Sequence, residues 1–174
     1  MTIQHSVFSR FYTGLVSFFF GVFLSFSAMA ELPSADNPLP IADNLQALGQ
    51  VALKENIPVA LLFASKGLRS TERLKDEAIL PSLFSGQFDG YVLMSEIHVN
   101  DDRSTIDFYG DETPNIDFKD IYNLSSLPVV IFVNGEGEVI HEQLLSGAYD
   151  FYYHYLKQFI NESLVTLNNP KQIP

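Results

Sequence analysis

Residues 122–159 read YNLSSLPVVIFVNGEGEVIHEQLLSGAYDFYYHYLKQF. Pro128 is followed by five apolar, mostly β-branched residues, Val129 to Val133, which predict a strand buried on both faces of a sheet. Asn134-Gly135-Glu136-Gly137 supplies the glycines that a tight hairpin takes at positive φ, and residues 139–145 read as the returning strand. Gly147 breaks the chain. Residues 149–167 then predict a long helix, with Tyr152, Tyr155, Leu156, Phe159, Ile160, Ser163, Leu164 and Leu167 on one face. Tyr152, Tyr153 and Tyr155 cannot all lie on that face, so at least one tyrosine is expected at the surface, where it could anchor a partner.

Upstream, residues 58–81 read PVALLFASKGLRSTERLKDEAILP. Val59 to Phe63 is a second continuous apolar run and predicts another strand buried on both faces. Residues 65–70 form a polar loop around Gly67. A helix is expected over 71–80, with Leu74, Ala78 and Ile79 turned inward and Pro81 kinking or ending it. Before this stretch, Leu45, Leu48 and Ala52 are spaced as on a helix over 42–56, stopped by Pro58. After it, residues 91–99 read as a strand. The acid-rich segment 100–120 leads into a short helix near 118–122. Residues 168–174 read as a flexible tail.

These two stretches resemble the periplasmic thioredoxin-like proteins: the first their opening strand and active-site helix, the second their cis-proline segment, hairpin and last helix. The resemblance spans residues 42–167. It implies an α/β fold, a thioredoxin-like three-layer sandwich with a central mixed sheet of about four strands and flanking helices. Aligned on Leu74, it puts Leu68 and Thr71 where the family's two cysteines stand, so Leu68-Arg69-Ser70-Thr71 replaces the redox tetrapeptide. The chain contains no cysteine. A leucine cannot ionise and a threonine hydroxyl stays protonated at neutral pH, so thiol–disulfide exchange is excluded. The resemblance further implies a cis Leu127–Pro128 bond, with leucine where the family usually has threonine or valine. It also implies a Leu127 backbone able to hydrogen-bond an extended peptide. On the sequence alone a trans proline opening an edge strand is the alternative.

The chain has 174 residues, 47% of them hydrophobic and 13% aromatic, enough for one domain with a substantial core. Its formal charge of −11 argues against nucleic acid and against docking on anionic lipid. Residues 15–30, LVSFFFGVFLSFSAMA, follow the lone base Arg10 and end in Ala28-Met29-Ala30. This pattern predicts a signal peptide over 1–30, cut after Ala30, the alternative being an uncleaved membrane anchor. The chain from Glu31 then carries nine bases against twenty-one acids, or −12. Residues 31–41, with Pro33, Pro38 and Pro40, read as an extended leader. Export to a periplasm is expected, with no stable membrane anchor once the leader is removed.

Other chemistry-bearing residues lack a matching pattern. His98 lies near Glu96, Asp101 and Asp102, with Asp107, Asp111, Glu112 and Asp117 further on, but the spacing fits no calcium loop and reads as a solvated acidic segment. His141 and Glu142 are adjacent on a strand and so face opposite ways. His154 sits among tyrosines on the last helix. Ser70 has no nucleophile elbow around it. Ser70 and Thr71 are expected to cap the helix, the alternative being contact with a ligand's thiolate. Lys66 and Arg69 either make a positive spot suited to a carboxylate or pair with Glu72 and Asp76. The function expected is therefore an exported accessory module that binds a periplasmic protein or peptide through Leu68, Arg69, Leu127 and Pro128, without cofactor or metal. The alternative is a non-thiol enzyme or ligand-binding protein, such as a glutathione-binding transferase-like domain using Ser70 or Thr71.

Overall fold

The computed structural model describes residues 31–147 and 149–174. The signal peptide expected over residues 1–30, with its cut after Ala30, lies outside the described residues. Five helices and six strands are assigned: α1 (Leu45–Glu55), β1 (Val59–Ala64), α2 (Arg69–Leu74), α3 (Leu80–Phe84), β2 (Leu93–His98), β3 (Ser104–Ile106), β4 (Glu112–Pro114), α4 (Phe118–Ile121), β5 (Val129–Val133), β6 (Val139–Leu145) and α5 (Tyr149–Thr166). A mixed four-stranded sheet runs in the order β2-β1-β5-β6. β1 is parallel to β2 and antiparallel to β5, and β5 is antiparallel to β6.

β1 and β5 are buried at every position, as their unbroken apolar runs require. Alternate residues supply two cores. Ala60, Leu62, Val130 and Phe132 pack with Leu74 and Ile79 and with Tyr152, Leu156, Ile160 and Leu164 of α5. Val59, Leu61, Phe63, Ile131 and Val133 pack instead with Leu45, Leu48 and Ala52 of α1 and with Phe118 of α4. Helices thus cover both faces of the sheet.

Several local readings change. α1 starts at Leu45 because Asn44 caps it, accepting the Ala47 N–H at 2.9 Å, and it ends on a left-handed Asn56 at φ 53°. The second helix begins at Arg69 and does not stop at Pro81. A π-helical segment, Lys75–Ile79, joins α2 to α3, and the Leu80 N–H donates to the Lys75 carbonyl. Pro81 is the second residue of α3, directly after the π turn, so the helix carries its irregularity beside the proline and continues to Phe84. The acid-rich segment folds into the two-stranded sheet β3–β4, followed by the 3-10 turn Asn115–Asp117.

In the β5–β6 turn only Gly137 has positive φ, at 86°. Gly135 is required for another reason: a Cβ there would collide with Leu53 and the Gly49 carbonyl, so α1 meets the turn backbone to backbone. Of the helical stripe expected on α5, Tyr152, Leu156, Ile160, Ser163 and Leu164 are buried, but Tyr155 is 43% exposed.

The tail read as flexible is docked. Ile173 is 4% exposed within the core and exchanges hydrogen bonds with the Asn161 side chain, while Asn169 Nδ2 donates to the Asn56 carbonyl. At the other end the leader lies along β2. The Glu96 N–H donates to the Pro40 carbonyl at 2.9 Å, and the Ala42 N–H donates to the Glu96 carbonyl at 2.8 Å.

Candidate functional site

Phe63 pairs with Val129 and Val129 with Leu145, so the exit of β1, the entry to β5 and the end of β6 share one end of the sheet. β2 finishes there too, since Ala64 pairs with His98. The loop after β1 is pinned by Asn100, whose Oδ1 accepts the Lys66 N–H at 2.7 Å and whose Nδ2 donates to the Lys66 carbonyl at 3.2 Å. Leu68 is the N-cap of α2 with extended dihedrals and offers no side-chain capping bond. At 38% exposure its side chain faces water, and Arg69 is exposed beside it.

The two hydroxyls behave differently from expectation. Neither caps α2; the Thr71 and Glu72 N–H groups both donate to the Leu68 carbonyl. Thr71 is fully buried and its Oγ1 has no hydrogen-bond partner. A ligand's thiolate has no path to it. Among the described residues neither Lys66 nor Arg69 has a carboxylate within 4.0 Å, and the helix pair that does form is Arg73–Glu77 at 2.9 Å.

The Leu127–Pro128 bond is cis. Pro128 is buried and Leu127 half-buried against the α1-side core, so proline shapes the chain here while its neighbour meets the surface. Among the described residues no backbone hydrogen bond uses the Leu127 amide or carbonyl. An extended segment laid beside Leu127 would find both groups available.

No protein-family model matches the chain, and no curated protein matches it. Chemistry must therefore be read from the residues themselves.

A second polar feature lies close by in the chain and was only half visible in the sequence. Glu96, on β2, is 1% exposed; its Oε2 accepts from Lys75 Nζ at 2.8 Å and its Oε1 lies 2.7 Å from His98 Nε2. Glu96 and His98 point the same way because they are two apart on a strand. Lys75 reaches them from the π-helical segment, one turn after Thr71. A carboxylate so deeply buried needs such partners. The acidic segment that follows offers no comparable convergence. Asp107 spends its carboxylate on the Tyr109 and Asp111 N–H groups and the Thr113 hydroxyl. Among the described residues no group of three or more His, Asp or Glu side chains is placed to hold a metal ion.

His141 turns toward α5, where its Nε2 lies 2.6 Å from Glu162 Oε2 and its ring packs on Phe159 with centroids 4.1 Å apart. Glu142 is exposed. His154 forms an edge contact with Tyr155.

Proposed function

We propose that the chain is an exported, thioredoxin-like accessory module that binds an extended peptide or protein segment at the open end of its sheet. The observation that carries this reading is the Leu127 backbone, unpaired beside a cis proline at the end of the sheet where Leu68 and Arg69 are exposed. Strand addition supplies affinity through main-chain bonds and leaves side-chain contacts to set specificity. Leu68 would contribute apolar contact, and Arg69, with no carboxylate partner, would favour a segment carrying an acid. The mixed sheet order, the helices on both faces and the cis bond support the thioredoxin-like assignment. The absence of cysteine makes the module redox-inactive. Export rests on the segment 15–30 and the small residues ending at Ala30, and N-terminal sequencing of the mature protein is expected to begin at Glu31.

The test uses Leu68→Glu and Arg69→Glu, both at exposed positions where the fold should tolerate change. Recovery of a bound periplasmic segment is expected to fall at least tenfold in each variant at an unchanged melting temperature. Equal recovery from the parent and both variants would remove this face as the binding site. In an insulin reduction assay the pure protein is expected to give no turnover, and measurable turnover would overturn the redox-inactive reading.

A further inference from the structure

A groove of about 220 Å³ lies at the turn end of the β5–β6 hairpin, whereas Pro128 lies at its open end. It is lined by Phe108, Tyr109, Phe118 and Tyr122, closed by Ile121 and Val139, and bordered by Asp107 and Gly137. Tyr109 is 78% exposed, Ile121 56% and Val139 53%, so the groove wall is unusually apolar for a surface this acidic. Tyr122 is fixed from three sides: its ring centroid lies 5.6 Å from that of Phe63 and 6.2 Å from that of Phe118, and its hydroxyl donates to the Gly137 carbonyl at 3.4 Å. Phe108 packs over Gly137, where a Cβ would strike its ring.

The surroundings are strongly negative. Segments 107–112, 117–122 and 136–139 together carry seven acids and one base, Lys119. Burial holds the Tyr122 phenol protonated well above its ordinary range, and the nearby Tyr109 and Asp107 add to that shift. Aromatic faces and surrounding carboxylates both attract a cation. The hydrogen-bonding state of the groove narrows the choice. Asp107 Oδ1 accepts from the Tyr109 and Asp111 N–H groups, each at 2.9 Å, its Oδ2 accepts from Thr113 Oγ1 at 3.2 Å, and the Gly137 carbonyl accepts from Tyr122, which leaves one acceptor position on Asp107 Oδ2 and one on the Gly137 carbonyl. A primary ammonium presents three N–H donors and a guanidinium five, more than these two positions satisfy when the group leaves water. A quaternary ammonium needs none, and its methyl groups suit Ile121, Val139 and the rings.

We propose that this groove is a binding site for a quaternary ammonium group, held by cation–π contact with Tyr109 and Tyr122 and by the field of the surrounding carboxylates. The group can be presented by a free solute or by a lipid headgroup.

Titration of the purified protein with choline chloride, followed by NMR, tests this, with ammonium, guanidinium and sodium chloride at matched ionic strength as references. Saturable shifts at residues 107–109, 121–122 and 137–139 are expected with choline alone. Tyr109→Ala is expected to weaken binding at least tenfold. Tyr122→Phe should retain binding because the ring remains, whereas Val165→Ala, at an exposed site on α5, should leave it unchanged. Failure of choline to saturate, equal response to ammonium or guanidinium, or unaltered binding in Tyr109→Ala would each overturn the assignment. Co-sedimentation with phosphatidylcholine vesicles separates the sources: capture of vesicles assigns the group to a lipid, and choline binding without vesicle capture assigns it to a free solute.

Discussion

Glu96 shows how far a residue's role depends on neighbours remote in sequence. The proximity of His98 can be read two positions along the strand, but Lys75 arrives from a helical segment more than twenty residues earlier. Removing one member of a buried pair leaves a charge without compensation, at a cost of about 3–5 kcal/mol for a deeply buried case. Lys75→Met is therefore expected to destabilise the protein by about 3 kcal/mol in urea unfolding at neutral pH, at the lower end of that range because His98 remains. The double variant Lys75→Met/Glu96→Leu should recover much of the loss, since an apolar replacement leaves no buried charge. Gly135 makes a similar point. The sequence marks it as a turn glycine, yet its constraint is the backbone of α1 lying against it. For the candidate site, Leu68, Arg69 and the cis bond before Pro128 could be named from the resemblance. The burial of Thr71 and of Pro128 could not, because it depends on how α2 and β5 settle against the sheet.

Among the elements, β1 and β5 were legible because a continuous apolar run has one economical destination, the middle of a sheet. The hairpin and α5 followed from glycine spacing and helical period. β3 and β4 were not legible, being three residues each in an acidic segment with no alternation to read. Of the two outcomes expected at Pro81, ending did not occur; the helix runs on to Phe84, with its irregularity as the π turn Lys75–Ile79 just before the proline. The C-terminal seven residues look polar and proline-rich, which hides the two side chains that dock them, Asn169 and Ile173. Ile173→Ala is expected to cost about 2–3 kcal/mol, in line with other buried isoleucine truncations. Carboxypeptidase digestion should be slow on the parent and fast on this variant. Equal digestion would show that Ile173 does not hold the tail.

For the molecule as a whole, the formal charge of −11 is a large physical quantity. Self-repulsion of that size opposes the compact state and is screened by salt. Raising sodium chloride from about 10 to about 150 mM is expected to raise the melting temperature, because the Debye length shortens from about 30 to about 8 Å. One carboxylate works against this trend. The carboxyl of Glu162, bonded first by Gln158 and then by His141, is held below its ordinary value of 4.5. A depressed carboxyl contributes stability that is present above its unfolded value and is lost as pH falls through its folded one. Glu162→Gln should therefore lower stability at pH 7, and its deficit relative to the parent should shrink as pH drops below about 4.5. A deficit independent of pH would assign the effect to packing.

The strip of chain from Pro40 to Ala42, bonded along Glu96, has a practical consequence for handling the protein. If the protein is cut after Ala30, an aminopeptidase working inward from Glu31 would meet exposed and half-buried residues until it reached Leu39, the first one sunk into the interior. Digestion past that point would bare the outer rim of the sheet, and neighbouring molecules would then have a free row of amides on which to stack.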